Sequence, residues 1–97
     1  MAYTIQLTPA FKAYFRSAPL SRGERVRILA VLHSSLPTIP NAYRADPTNR
    51  VGPGSSCFWW HLIFAGDDGR VRTFRCAVDD SAATYGVLCI VYADVHP

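Results

Sequence analysis

The chain has 97 residues, of which 49% are hydrophobic and 18% are charged. These values predict one folded domain over residues 1–97 and exclude a disordered chain. No apolar run reaches the roughly 18 residues that a transmembrane helix needs, and the N-terminus lacks a secretory signal pattern, so we expect a cytoplasmic protein with no membrane partner.

The charged residues are divided unevenly along the chain. Residues 1–50 hold seven basic and two acidic side chains, a net charge of +5, whereas residues 51–97 hold three and five, a net charge of −2. A basic first half is compatible with an RNA, a DNA or an acidic protein partner, and charge alone does not choose among them.

The first half of the chain predicts a strand and two helices. Residues 3–7 alternate between apolar and polar, which indicates a short strand. Thr8 then provides an N-cap for a helix that ends at Pro19. Ser21 and Glu24 form a capping-box pattern that opens a second helix. The apolar stripe expected on that helix comprises Val26, Leu29, Leu32 and Leu36.

Residues 37–56 show no periodic pattern and are rich in proline, glycine and serine. A loop of this length is unusual in so small a domain, and such loops are often functional. The loop carries Tyr43, Arg44 and Arg50. The sequence leaves open whether these arginines bind a partner or are simply solvated.

The second half predicts a three-stranded antiparallel meander over residues 57–65, 70–78 and 85–93. The last strand is apolar almost throughout, which predicts a central strand covered on both faces. Trp59 and Trp60 should point to opposite faces, one into the core and the other available as a docking surface. The predicted fold class is therefore α+β, with a two-helix hairpin on one face of a four-stranded, mainly antiparallel sheet.

The three cysteines fall in the predicted strands without metal-ligand spacing. We expect Cys57, Cys76 and Cys89 to be reduced, and nothing in the sequence indicates a metal, nucleotide or flavin cofactor.

The order of strand, two helices, long loop and three strands resembles the RelE/ParE-type toxins of bacterial toxin–antitoxin modules. Residues 1–7 look like their first strand, residues 11–36 are similar to their helical hairpin, and residues 57–95 are similar to their antiparallel sheet. The resemblance implies that the first strand pairs inside the sheet. It also implies a cognate antitoxin protein as partner.

In the RNA-cleaving branch of that family, basic and imidazole side chains on the sheet act without a metal. Cleavage by the ribose 2′-hydroxyl needs a base, an acid and positive charge over the developing phosphorane. The resemblance implies His61 as general base, Arg72 as phosphate clamp and His96 as general acid, with acid and base open to exchange. The further RNA contacts it suggests are Arg70, Arg75, Arg44, Arg50 and Tyr85, with Tyr92 as an alternative to Tyr85 for stacking on a base.

Two functions therefore remain open, and the enzymatic status is not decided. The first is an endoribonuclease toxin acting on mRNA, free or on the ribosome. The second is a non-catalytic binding protein that inhibits DNA gyrase or another bacterial or phage protein. Clustering of His61, Arg72 and His96 on one face favours the first, and their separation beside an exposed tryptophan favours the second. The negative charge of Asp79, Asp80 and Asp94 near this set would weaken phosphate binding.

Overall fold

A computed structural model describes residues 2–97 of the chain. Four strands form one sheet in the order β1-β4-β3-β2, with bounds β1 Thr4–Leu7, β2 Cys57–Ala65, β3 Val71–Asp79 and β4 Val87–His96. β2, β3 and β4 form an antiparallel meander, and β1 pairs parallel to β4. The α+β class and the meander predicted from the sequence are confirmed, within a sheet that is mixed.

The position of β1 corrects one expectation. The first strand was expected inside the sheet, but β1 forms an edge and pairs with β4 alone. On its outer side the chain after the second helix approaches closely, and the backbone N–H of Tyr3 donates to the carbonyl of Pro37 at 2.7 Å. This segment occupies the side on which a further strand would pair.

Three α-helices lie between β1 and β2, with bounds α1 Pro9–Ser17, α2 Arg22–Ser35 and α3 Asn41–Ala45. Thr8 caps α1, because its side chain accepts a hydrogen bond from the N–H of Phe11 at 3.2 Å. Phe11 and Phe15 are buried, and the Phe15 ring lies 6.0 Å from that of Phe74 on β3. The first helix therefore packs on the sheet through Phe11 and Phe15.

The capping box predicted for α2 is present. Ser21 accepts from the N–H of Glu24 at 3.1 Å, and the Glu24 carboxylate accepts from the N–H of Ser21 at 2.7 Å. The buried stripe of α2 matches the predicted one in part. Leu32 and Leu36 are buried as predicted, but Ile28 is buried as well, while Val26 is 61% exposed. The helix is rotated so that the stripe beginning at Glu24 faces the sheet.

Residues 37–56 are more ordered than a loop, and that expectation is wrong. They contain the end of a 3₁₀ turn at Leu36–Thr38, the helix α3 and a second 3₁₀ turn at Pro47–Asn49. Tyr43 of α3 packs its ring 6.1 Å from Phe58 and donates a 2.7 Å hydrogen bond to the carbonyl of Trp59. Elements this short carry no hydrophobic period, so the sequence gives no signal for them.

All the main helices cover the same side of the sheet. The core comprises Phe11, Phe15, Ile28, Leu32, Leu36, Phe58, Trp60, Phe74, Cys76, Val78, Leu88, Ile90 and Ala93. Trp60 is 9% exposed within this core while Trp59 is half-buried on the other side, so the opposite orientation of the two tryptophans is confirmed.

The opposite side of the sheet is here called the open face. Among residues 2–97 no helix lies across it, and only Tyr14 of α1 reaches its margin, where its ring contacts that of Tyr92. The central residues of the open face in register are Trp59, Ala77 and Tyr92 in one row, His61, Arg75 and Asp94 in the next, and Ile63, Thr73 and His96 in the third. The expectation that the last strand is covered on both faces is therefore wrong. The strand β4 also begins later than predicted, because Tyr85 lies in a 3₁₀ turn that ends at Gly86 with φ 77°.

A β-bulge decides which residues of β4 reach the open face. The register with β3 shifts between Ala77, which pairs with Tyr92, and Val78, which pairs with Ile90. Val91 is therefore an extra residue in β4. Strict alternation from the buried Ile90 would turn Asp94 and His96 toward the core, and the bulge turns them outward instead.

Candidate functional site

Three polar residues lie side by side across the centre of the open face. His61 on β2 pairs in register with Arg75 on β3, which pairs in register with Asp94 on β4. Side chains directly opposite one another on adjacent strands are close enough to interact. The meander therefore places an imidazole, a guanidinium and a carboxylate in one row.

Asp94 is the centre of this group. Its carboxylate accepts hydrogen bonds from Nε and Nη2 of Arg75 at 3.1 and 2.6 Å and from the hydroxyl of Tyr92 at 2.8 Å. Nε2 of His96 lies 3.2 Å from the same carboxylate. One acidic side chain thus positions a guanidinium, a phenol and an imidazole on the same surface.

This network has clear electrostatic consequences. Burial by itself raises the pKa of Asp94, but the hydrogen bonds from Arg75 and Tyr92 and the nearby positive charge lower it below its ordinary value. The pKa of Tyr92 is raised, chiefly because its hydroxyl donates to that carboxylate. Asp94 is therefore ionised at neutral pH, and its charge balances that of Arg75.

Aromatic rings continue the site along the face. The guanidinium carbon of Arg75 lies 3.9 Å from the ring centroid of Trp59, a cation–π contact. The Tyr92 ring meets that of Trp59 edge to face at 6.0 Å, and Tyr14 of α1 meets Tyr92 at 4.7 Å. The result is a row of three rings with a guanidinium at one end.

The structure brings together two of the three predicted catalytic residues. His61 and His96 are both exposed on the open face. They are two strands and two residues apart, which corresponds to roughly 12 Å between their Cα atoms. Their imidazoles flank the Arg75–Asp94 pair.

Arg72 is not part of this group. It is three residues from Arg75 on the same strand, so the two side chains point to opposite faces. Arg72 donates to Asp68 at 2.8 Å and to the carbonyl of Pro19 at 3.2 Å, on the helix side of the sheet. The geometry separates the predicted phosphate clamp from both histidines, and Arg75 occupies the position beside them.

Arg44 and Arg50 are engaged within the protein. Arg44 donates to Asp80 at 2.9 Å, and Arg50 donates to the same carboxylate at 2.8 and 3.0 Å. The Arg44 guanidinium also lies over the Tyr3 ring at 5.2 Å. This cluster lines an open depression of about 950 Å³ and ties α3 and the chain that follows it to the end of β3. The terminal nitrogens of both arginines donate to protein acceptors, whereas the buried Nε of Arg44 has no partner among the described residues.

The remaining predicted RNA contacts, Tyr85 and Arg70, lie in turns at opposite ends of the sheet. Tyr85 is 85% exposed in the turn before β4, at the opposite end of the sheet from His96. Arg70 is exposed in the turn between β2 and β3. Neither residue joins the network around Asp94.

The cysteines are all free. Cys57 and Cys89 flank Asp79 in one cross-strand row, so their Cα atoms are roughly 10 Å apart, beyond the reach of a disulfide. Cys76 is buried, and burial raises the pKa of its thiol. Among residues 2–97 no three His, Cys, Asp or Glu side chains are grouped to hold a metal ion, and no helix there is long and apolar enough to cross a membrane.

Comparison with protein-family models, curated proteins and solved structures finds no match for this chain. The function is therefore argued from the open face itself.

The sequence signals for this site were only partly readable. The resemblance implies His61, His96 and Arg75 as site residues, and the sequence places the negative charge of Asp94 near them. The role of Asp94 as the centre of the network depends on the bulge at Val91, and no residue pattern in β4 predicts that bulge.

Proposed function

We propose that this chain is a RelE/ParE-like toxin of a bacterial toxin–antitoxin module, a cytoplasmic protein that cleaves mRNA without a metal and is neutralised by a cognate antitoxin. The observation that carries the proposal is the placement of His61, His96 and the Arg75–Asp94 pair on one uncovered face of the sheet. Uncovered sheets bearing aromatic rings are a recurrent surface for single-stranded RNA.

The chemistry requires two imidazoles in different protonation states. Neutral His61 takes the proton of a ribose 2′-hydroxyl as that oxygen attacks the adjacent phosphorus. Protonated His96 gives its proton to the departing 5′-oxygen, and the products are a 2′,3′-cyclic phosphate and a 5′-hydroxyl. The carboxylate of Asp94, 3.2 Å from Nε2 of His96, orients that ring.

Charge on the open face limits what Arg75 contributes. Two of its nitrogens are already bound to Asp94, so the pair as a whole is close to neutral. The positive charge opposite the phosphorane then comes mainly from the protonated imidazole. Arg72 has no part in this mechanism, because it lies on the helix side.

The test is induced expression with mapping of mRNA ends. Wild type should arrest growth and produce new mRNA ends, and the His61→Ala/His96→Ala variant should do neither. His33, the third histidine, is exposed on α2 away from the open face, so His33→Ala is the matched control. Cleavage that persists in the double variant would refute the catalytic assignment.

A second function is favoured by one observation. Within the described strands, Arg75 is the single arginine on the open face, and it is neutralised by Asp94, while Ile63 and Val71 near the β2–β3 turn are 71% and 64% exposed. The face also carries Asp79, so its aspartates outnumber its arginine, and such a face with exposed apolar residues suits a protein partner. In that case the chain inhibits DNA gyrase or another protein target without cleaving RNA. Growth arrest that survives in the His61→Ala/His96→Ala variant, without new mRNA ends, would select this function.

A further inference from the structure

One of the two donor edges of Arg75 is closed to a phosphate. A phosphate clamp presents two parallel N–H donors to the incoming anion. In Arg75 the Nε and Nη2 donors are taken by Asp94 at 3.1 and 2.6 Å, so this edge of the guanidinium is occupied. The Nη1 atom has no acceptor among the described residues, and the flat surface of the group is the other part left for a ligand; 28% of the side chain is exposed.

The indole of Trp59 supports that flat surface from one side. The guanidinium carbon lies 3.9 Å from the ring centroid, which is stacking distance. Ala77, the cross-strand neighbour of both Trp59 and Tyr92, is only 5% exposed although it is on the open face. The two rings therefore lie over the sheet and cover it, and Arg75 forms a layer against the indole.

Asp94 fixes the orientation of this layer. A guanidinium held by two hydrogen bonds to one carboxylate cannot rotate freely out of their common plane. The same carboxylate is held by the Tyr92 hydroxyl at 2.8 Å. The stack is therefore preorganised, and a ligand need not order it on binding.

We propose that the Trp59–Arg75 stack is a binding platform for one unpaired nucleobase, which lies on the guanidinium beside the two histidines. This inference rests on the proposed function, since it takes single-stranded RNA as the ligand of the open face. Unpaired bases stack on arginine planes and on aromatic rings, and such contacts tolerate a neutral surface because they do not depend on phosphate charge.

The test separates base stacking from phosphate binding and from cleavage. The probe is a fluorescein-labelled six-nucleotide oligoadenylate with 2′-O-methyl riboses, which cannot be cleaved through the 2′-hydroxyl. Arg75→Lys keeps the charge beside Asp94 but removes the flat surface. We expect it to weaken binding about tenfold, the size of one lost stacking contact. An oligomer of the same length with abasic sites should bind wild type about tenfold more weakly.

Arg27→Lys is the matched control, because Arg27 forms an exposed ion pair with Asp67 on the helix side, 3.0 Å apart. It should bind the probe as wild type does. Equal affinity of wild type and Arg75→Lys, equal affinity for abasic and base-containing oligomers, or no binding of the probe would each overturn the proposal. Because the probe is uncleavable, loss of the platform is distinguishable from absence of nuclease activity, which the mapping of mRNA ends measures separately.

Discussion

Asp80 and Asp94 each bind basic side chains, but the two clusters have different roles. Asp80 binds Arg44 and Arg50, and all three side chains are at most 21% exposed. Asp94 binds Arg75 on a surface that solvent and ligands reach. The first cluster joins segments of the chain, and the second organises the candidate site.

Replacing Asp80 with alanine should destabilise the fold. The change leaves two largely buried guanidiniums without the carboxylate that they share. We expect the free energy of unfolding to fall by about 2–3 kcal/mol. Urea unfolding followed by tryptophan emission measures it. Asp68→Ala, which removes a more exposed partner of Arg72, should change the urea midpoint less. An equal effect of the two changes would contradict the structural role of the Asp80 cluster.

Stability should fall in acid. In the folded chain burial by itself raises the pKa of Asp80 and of Asp94, but hydrogen bonds and nearby positive charge outweigh burial and lower both pKa values. The pKa of aspartate in an unfolded chain is about 3.9. A lowered folded pKa gives stability that is complete above the unfolded pKa and is lost as pH falls through the folded one. The urea midpoint should therefore be nearly constant from about pH 7 to 5 and decrease below about pH 4. A midpoint that rises in acid would show that these carboxyls are not stabilising.

At the scale of single residues, the sequence predicts which side chains belong to the site better than it predicts how they are arranged. The resemblance to RelE/ParE-type toxins implies His61, His96 and Arg75 as candidates, whereas residue type alone does not single them out. That Arg72 and Arg75 face opposite ways follows from strand alternation once one of them is placed, but which of the two shares a face with His61 depends on the β2–β3 register.

Among the elements, β4 depends on which face its last residues reach. Deleting Val91 removes the extra residue, so Tyr92 then follows the inward-facing Ile90 directly and keeps its place opposite Ala77. Inserting one alanine between Tyr92 and Ala93 would instead turn Asp94 and His96 toward the core, where an ionised carboxylate is costly. We expect the insertion variant to lose cooperative unfolding and near-UV circular dichroism and the Val91 deletion variant to retain both. An insertion variant that unfolds like wild type would show that the fold does not depend on the outward orientation of Asp94.

The start of α2 is attached to the β2–β3 turn. Glu24 is 4% exposed, and its carboxylate accepts from the backbone N–H of Ser21 and, at 2.8 Å, from that of Asp67. These two hydrogen bonds lower its pKa. A Cβ on Gly66 would lie 2.8 Å from Oδ1 of Asp68 and 2.9 Å from the same Glu24 carboxylate, so any residue other than glycine requires both side chains to move.

Glu24→Gln should weaken this attachment, because an amide NH₂ would face one of the two backbone donors. We expect a lower urea midpoint and faster hydrogen exchange at the amide of Asp67. Arg22→Gln, a neighbouring change on the exposed side of α2, is the control and should leave that exchange rate unaltered. Unchanged exchange in Glu24→Gln would contradict the attachment.

The predictability of the elements followed their length and their caps. The capping box of Ser21 and Glu24 and the alternation of β3 were readable because each repeats a known pattern. The helix α3 has five residues, too few to show a period, and its position is fixed by Tyr43 packing on Phe58. The burial of Ile28 in place of Val26 was likewise set by tertiary packing.

Over the whole molecule, the two faces of the sheet are unlike. The helices and their apolar side chains cover one face, and the other presents a neutral ion pair, two histidines and a row of aromatic rings. Strand order decides this arrangement, since β3 and β4 must be neighbours for Arg75 to meet Asp94. The meander predicted from the sequence already makes β3 and β4 neighbours. The sequence contains no signal for the bulge at Val91, which sets the face that Asp94 and His96 share, so it could predict the α+β class but not the site.

The most direct measurement compares the two faces in one assay, with ribosomes translating a synthetic mRNA and purified protein added. We expect wild type and Arg72→Ala to produce cleaved mRNA and His61→Ala/His96→Ala to produce none, because the histidines share the open face and Arg72 does not. Cleavage lost in Arg72→Ala and kept in the double variant would place the function on the helix side and contradict the assignment of the open face.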